Sequence, residues 1–451
     1  MRVLRRGRMV PAGVVACVAL AGLAAPAQAE EQPPPQAEPV PAALPAPTVP
    51  TGLAVTGGSF RSGTVDWDDV LGAASYSVEL AQSAAMDGAT SFPAAQSTAT
   101  VFGLAPDHDY FVRVRGLDSA GQPVGEWSPV VAARTMPAPE APSEPPVTVA
   151  SFNIRCANCF GPQNQEKPWS VRRDVVVAQI VARRPDVVGL QEASQARLKG
   201  TTTTQMADLR DRLRAAGAPY ELTNEHAYNC RDSTTPKACV PKDQGASQGT
   251  RIIVNTETVD LAAQGSKLLP SCTGCNNRYM AWAVVKQKAT GKSFFLANVH
   301  TQFMARYAAL RHDEIRVMMD EVAARNPDNL PVFIVGDFNS TRYQVPSNAP
   351  YDEVIARGFT DPLGHTPQSP VVSEQGTAET RIRANYSSHN NFLRTVAKVA
   401  DWENGNNLDY ILTTPMRILL WETVLDVDAQ DRIASVIPSD HNMVLVKAVL
   451  P

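Results

Sequence analysis

Ten residues, Pro137-Ala-Pro-Glu-Ala-Pro-Ser-Glu-Pro-Pro146, hold five prolines and no large apolar side chain. Proline donates no backbone hydrogen bond and biases the preceding residue away from helix, so neither a helix nor an interior strand can run through this stretch. A chain of 451 residues exceeds what one hydrophobic core usually serves, and here it has to divide. Residues 137–146 therefore read as a semi-stiff, poorly packing spacer. Residues 30–47, made almost entirely of Ala, Pro, Glu and Gln, read as a second, disordered or extended linker.

Ahead of both linkers, Met1-Arg-Val-Leu-Arg-Arg-Gly-Arg8 precedes an apolar stretch from Val14 to Ala25 and then Ala27-Gln-Ala29. A basic end, a short apolar centre and small residues at a cleavage site describe a secretory signal, residues 1–29, cut after Ala29. The competing reading, a membrane anchor, asks for about 20 apolar residues. The mature protein is expected to be secreted. Six cysteines follow the signal: Cys156, Cys159, Cys230, Cys239, Cys272 and Cys275. Outside the cell these suggest disulfides between near neighbours, 156 with 159, 230 with 239 and 272 with 275. A four-sulfur zinc site built from the two Cys-x-x-Cys pairs is the alternative.

The segments on either side of the decapeptide differ in period. Within residues 48–136, Thr64-Val-Asp-Trp67, Ser75-Tyr-Ser-Val-Glu-Leu80, Tyr110-Phe-Val-Arg-Val-Arg115 and Val130-Val-Ala-Ala alternate strictly, the mark of half-buried antiparallel strands. Trp67, Tyr76, Leu104-Ala-Pro106, Tyr110 and Trp127-Ser128 make this stretch resemble a fibronectin type III domain. That resemblance implies an all-β sandwich with Trp67 and Tyr76 in its core and Tyr110 bonding nearby backbone. Its expected role is a spacer or a module that binds a surface polymer.

From residue 147 the pattern mixes strands and helices. Val147 to Ile154 and Asp186 to Leu190 read as buried strands, Ser170 to Arg183 as a helix with Val171, Val175 and Ile180 inward, and Ala289-Thr-Gly-Lys292 as a hairpin turn. Tyr307 to Val322 reads as a long amphipathic helix whose methionines fill core. Two sheets covered by helices follow from this order.

The chemistry gathers where apolar runs end. Leu330-Pro-Val-Phe-Ile-Val335 leads into Gly336-Asp337-Phe338-Asn339, an acid and an amide two residues apart that suit a phosphate or a hard metal ion. Asp186-Val-Val-Gly-Leu-Gln-Glu192, Leu408-Asp409-Tyr410 and Ser439-Asp440-His441 repeat the theme, as do Phe152-Asn153-Ile154-Arg155 and Val299-His300-Thr301. In this order the set resembles the endonuclease/exonuclease/phosphatase superfamily, which includes deoxyribonuclease I, across residues 147–451. The resemblance implies an α/β four-layer sandwich. It also implies roles: Glu192, Asn153 and Asp440 at a metal ion, Mg2+ or its substitute Mn2+; His441 as general base, oriented by Asp409; Asp337 and Asn339 on the attacking water and the phosphate. His300 would hold a phosphoryl oxygen or protonate the leaving group, and Arg278 would reach substrate phosphate. One departure stands out. Relatives of the deoxyribonuclease I type back the equivalent of His300 with a carboxylate, where this chain reads Gln248-Gly249-Thr250.

With the leader, the resemblance implies a secreted metal-dependent phosphodiesterase, a nuclease acting on DNA first and on RNA second. A phospholipid or inositol-phosphate phosphoesterase of the same fold is the alternative, and an inactive binding protein the third. Neither a glycine-rich nucleotide loop nor a Ser-His-Asp signature is present. Charge leans the same way as the nuclease reading: residues 30–146 carry 4 basic and 14 acidic side chains, a balance of −10, whereas residues 147–451 balance at +2 although several acids serve the site. Arg381, Arg383, Tyr386, His389, Arg394, Lys398 and Trp402 fall within residues 376–407, and two readings of that segment stay open: a track for a nucleic-acid strand or a solvated loop.

Overall fold

The computed structural model describes residues 49–161, 164–194, 197–223, 249–275, 277–341, 344, 348–364, 376–399 and 404–451. The expected signal (1–29) and linker (30–47), Cys230 with Cys239, Gln248, Asn276 and Trp402 lie outside the described residues.

In the first half, alternation becomes alternating burial, seen best along Asp109–Leu117, where every second side chain turns inward. Ala54–Gly58, Ser62–Asp66 and Thr98–Phe102 form one antiparallel sheet; Thr90–Ala94, Ser75–Ala81, Asp109–Leu117 and Pro123–Val124 form another, with Val131–Arg134 also pairing on Asp109–Leu117. Val65, Trp67, Tyr76, Val78, Phe92, Val112 and Val114 from both sheets share one core. Trp67 meets Tyr76 edge to face at 5.2 Å, and the Tyr110 hydroxyl accepts a hydrogen bond from the Ala105 amide at 2.8 Å.

Two larger sheets make up the second half. One has seven strands in the order Tyr220–Leu222, Arg251–Asn255, Val187–Gln191, Val147–Asn153, Val444–Val449, Arg417–Thr423 and Thr380–Ile382. The other has five: Val259–Leu268, Tyr279–Gln287, Ser293–His300, Val332–Asp337 and Asp409–Thr413. Their central strands are buried at nearly every position, as expected for sheets covered on both faces. Val149, Val187, Ile252 and Val446 meet Leu296, Phe333 and Val335 between the sheets. Helices α1 (Trp169–Arg183) and α2 (Gln205–Ala215) cover the outer face of the larger sheet through Val176, Ile180, Leu209 and Leu213. Helices α3 (Ala308–Arg325) and α4 (Ala349–Ala356) cover the smaller one, with Ile315, Met318, Met319, Val322 and Val354 on Phe295, Ile334 and Leu412. The order helix, sheet, sheet, helix is the four-layer sandwich. Truncating a residue such as Phe333 to alanine in the middle layer should cost roughly 3–5 kcal/mol.

Two polar details align the layers. Gln191 Nε2 donates to Asn298 Oδ1 across the sheets at 2.7 Å, and Asn298 Nδ2 donates to the carbonyls of Leu190 and Arg251. Gly336, at φ 153°, runs so close to the neighbouring strand that any Cβ would collide with the Val299 carbonyl.

Two expectations need correction. Val171 is 44% exposed, because α1 rotates to turn Arg172 inward instead. The Arg172 guanidinium donates to the carbonyls of Ile154, Arg155, Lys167 and Pro438, and burial lowers its pKa to about 10. The proline-rich decapeptide, for its part, does not stand free. Arg417 Nη2 donates to the Glu140 carbonyl, Lys292 Nζ pairs with Glu144 at 2.6 Å, and Gln287 Nε2 donates to the carbonyls of Pro145 and Pro146. Extended backbone has many unpaired carbonyls, and these side chains satisfy several of them. Both halves consequently fall within one compact unit, Pro47–Pro451.

Candidate active site

Strand register brings the chemistry together. Val147–Asn153 and Val187–Gln191 are parallel neighbours with Asn153 opposite Gln191, so Asn153 and Glu192 leave their strands side by side. In the other sheet His300 pairs with Asp337 and Asp337 with Asp409. The turn Ser439-Asp440-His441 precedes Val444–Val449, whose first residue faces Ser151 on the Asn153 strand. Residues from both sheets thus meet at one end.

Asp337 Oδ2 is the hub. Asn153 Nδ2 donates to it at 3.0 Å, His300 Nε2 lies 3.4 Å away and His441 Nε2 3.7 Å away. On its other side His441 Nδ1 lies 2.8 Å from Asp409 Oδ2. Burial by itself would lower the His441 pKa, but the negative charges of Asp409, Asp337 and Asp440 outweigh it and hold the imidazole well above its ordinary value. Burial, reinforced by Asp409, pushes the Asp337 carboxyl upward, against the opposing pull of His441. Asn339, in the left-handed region at φ 47°, donates its amide to Asp337 Oδ1 at 2.8 Å and its side-chain Nδ2 to the Thr301 carbonyl.

His300 differs from His441. Burial, with Arg278 and His441 close by, drives its pKa well below the ordinary value. Both roles the resemblance offered, holding a phosphoryl oxygen and protonating the leaving group, would use His300 Nε2, which faces Asp337 Oδ2. Arg278 is 1% exposed, with Nη1 3.0 Å from His300 Nδ1. The arginine expected to reach substrate phosphate lies directly against His300.

The donor set suits a hard divalent cation. Glu192 is 7% exposed and accepts the Cys156 amide on Oε2 at 3.0 Å, while its Oε1 has only a long 3.4 Å contact with Asn153 Nδ2. Asn153 Oδ1 accepts the Arg155 amide. A buried acid oxygen left under-satisfied next to an amide oxygen fits Mg2+, which takes few protein ligands and keeps its waters. Asp440 lies toward Arg155, its Oδ2 3.8 Å from Nη1, and accepts Ser439 Oγ.

Further residues frame the site, among them Arg172, Gln191 and Asn298, which were not singled out from sequence. Cys156 closes a disulfide with Cys159, as Cys272 does with Cys275, and that first bridge sets the amide held by Glu192. Arg172 ties the Asn153 strand's exit to Pro438, just ahead of Asp440 and His441. Residues 384–399 fold over a small core of their own, with Arg394 and Lys398 on its exposed side. Tyr386, Phe392 and Val396 pack with Leu425, Ile433 and Ile437; Arg394 Nη1 donates to the carbonyls of Ile433 and Ser435; Lys398 pairs with Asp431. From this lobe His389 sets its ring against His441 at 4.8 Å. Polar residues inside apolar strands were the available signal for Gln191 and Asn298; Arg172 gave none, since a charged residue on a helix normally faces water.

Comparisons with known proteins were made against this geometry. The model of the Endonuclease/Exonuclease/phosphatase family matches residues 150–441. A mannosyl-6-phosphatase from Bacteroides thetaiotaomicron is 21% identical with a TM-score of 0.47, covering 67% of this chain and 99% of that one. The human Nocturnin catalytic domain with bound sulfate is 16% identical with a TM-score of 0.45, covering 68% and 94%. D. rerio TDP2 complexed with single-strand DNA product is 15% identical with a TM-score of 0.42, covering 67% and 99%. A search of curated proteins returned no match.

Proposed function

Since the chain belongs to the endonuclease/exonuclease/phosphatase family, we propose that it is a secreted, Mg2+-dependent phosphodiesterase that hydrolyses nucleic acid, DNA foremost. The observation that carries the chemistry is His441 seated between two carboxylates, Asp409 on Nδ1 and Asp337 beyond Nε2. With Nδ1 anchored, Nε2 is the atom that would take the proton of an attacking water once a bound cation offsets the carboxylate charge that otherwise keeps the ring protonated, and Asp409 stabilises the imidazolium that results. Asp337 and Asn339, tied together at 2.8 Å, orient that water and the phosphate. Glu192, Asn153 and Asp440 would hold Mg2+, which when bound neutralises charge on the phosphoryl oxygens. The His300 Nε2 side faces the same Asp337 oxygen and offers a hydrogen bond to a phosphoryl oxygen.

A polyanionic substrate is supported by a cleft of about 360 Å³ beside Ala157 and Asn158, lined also by Arg173, Arg197 and Lys199. Those residues adjoin the turn that touches Glu192, and basic groups flanking a phosphoesterase site bind neighbouring phosphates. Export rests on the leader sequence. The first half, read as a fibronectin type III module, serves as a spacer or binds a surface polymer.

The deciding experiment offers purified protein plasmid DNA, RNA, sphingomyelin and inositol phosphates with Mg2+ or Mn2+, and repeats each with chelator. Turnover that survives exhaustive chelation sinks the metal reading. Lipid or inositol-phosphate hydrolysis that outpaces nucleic-acid cleavage sinks the substrate reading.

A further inference from the structure

Arginine carries five N–H donors and no acceptor. Its approach to His300 Nδ1, at 3.0 Å, therefore requires that Nδ1 present a lone pair and that the ring hydrogen sit on Nε2. Nε2 is the nitrogen turned toward Asp337 Oδ2, 3.4 Å away. Protonating Nδ1 would set two donors against each other inside the protein. A carboxylate beside Nδ1 would favour the doubly protonated ring, whereas the guanidinium found there disfavours it.

We propose that Arg278 is a positioning residue that locks His300 as the Nε2–H tautomer, making His300 a fixed hydrogen-bond donor to a phosphoryl oxygen. The assignment rests on the phosphodiesterase reading for its consequence, though not for its geometry. Arg278 immediately precedes the hairpin strand Tyr279–Gln287, which pairs directly with the His300 strand. The charge of Glu314 of α3 acts on the guanidinium at longer range, and its Oε2 accepts the amide of Gln302, two residues past His300. Helix, hairpin and His300 loop thus converge on one ring. Nη1 is committed to His300, while the buried Nε and Nη2 have no hydrogen-bond partner and are the donors that a direct grip on substrate phosphate would use, so the two roles are separated by experiment.

Proton-coupled ¹⁵N spectra of histidine-labelled protein, with the His300 signals identified by His300→Gln, test the tautomer without any substrate. The expected wild-type result is an unprotonated Nδ1 and a protonated Nε2 that hold across the pH range of stability; a protonated Nδ1 overturns the proposal. Arg278→Met should release the ring into mixed tautomers, and Arg278→Lys, which keeps a donor, should restore much of the wild-type spectrum. Steady-state kinetics on bis(p-nitrophenyl) phosphate then separate the roles. Loss of positioning lowers kcat of Arg278→Met by roughly 10- to 100-fold with KM within threefold, and adding His300→Gln costs little more. A higher KM with kcat intact and an unchanged His300 spectrum overturns the assignment in favour of a phosphate grip. Should Arg278→Met not fold, the wild-type and Arg278→Lys spectra still decide. An inactive wild type with the expected tautomer removes the phosphodiesterase reading and leaves the geometry standing.

Discussion

His441 Nδ1 and Asp409 Oδ2 lie 2.8 Å apart, both side chains nearly sealed from solvent, and this contact makes the opposite nitrogen of the ring available for proton transfer. His441→Ala should cut kcat by roughly 100- to 10,000-fold, the usual span for losing a general base. Asp409→Asn should be nearly as damaging, since an amide neither fixes the tautomer as firmly nor stabilises the imidazolium. Both losses should appear in kcat far more than in KM. A folded His441→Ala protein with near-normal turnover removes the assignment.

Glu192 takes one backbone amide on Oε2 and keeps Oε1 almost unengaged. Glu192→Gln preserves shape and removes the charge, so calorimetric titration should find Mg2+ affinity reduced by at least tenfold. Turnover at saturating metal should fall by roughly a hundredfold. Equal Mg2+ affinity in wild type and variant would point to a different anchor.

The Cys156–Cys159 bridge holds the amide that Glu192 accepts. Replacing both cysteines by serine should loosen that turn and lower metal affinity by roughly tenfold, with thermal unfolding changed less than metal binding. Mass spectrometry of unreduced protein should find the 156–159 and 272–275 bridges intact and no bound zinc. Stoichiometric zinc with free thiols contradicts this.

Burial raises the Glu314 carboxyl from 4.5 to about 7. The folded protein binds this proton more tightly than the unfolded chain does. Its stabilising contribution is whole below about pH 4.5 and fades as pH climbs through 7. Glu314→Gln, permanently neutral, should escape that loss. Denaturant titrations of both proteins at pH 5 and pH 8 should show the variant gaining on wild type by roughly 2 kcal/mol over the interval, part of the full equivalent of the shift because the unfolded carboxyl is already largely ionised at pH 5. A difference that stays flat with pH rejects the buried-carboxyl account.

Much of this architecture was legible because burial writes itself into apolar runs. Val187 to Leu190 and Val332 to Val335 could only be covered strands, and the polar residues at their ends, Glu192 and Asp337, had nowhere to point but the strand termini. The same logic reached Asn153, His300, Asp409 and His441. It failed where a side chain acts against its type. Arg172, which no sequence signal marked, is a buried brace for four carbonyls; Val171 looked like core and faces water. The decapeptide Pro137 to Pro146 was read from its own composition, yet the groups that fasten it, Gln287, Lys292 and Arg417, come from strands and a turn 140 to 280 residues further on.

The site draws Asn153, Glu192 and His441 from one sheet and His300, Asp337 and Asp409 from the other, stitched beneath by Gln191 and Asn298. Neither sheet alone carries a working fraction of it. Turnover in this protein therefore reports that the two sheets are docked in register, which a measure of secondary structure alone does not.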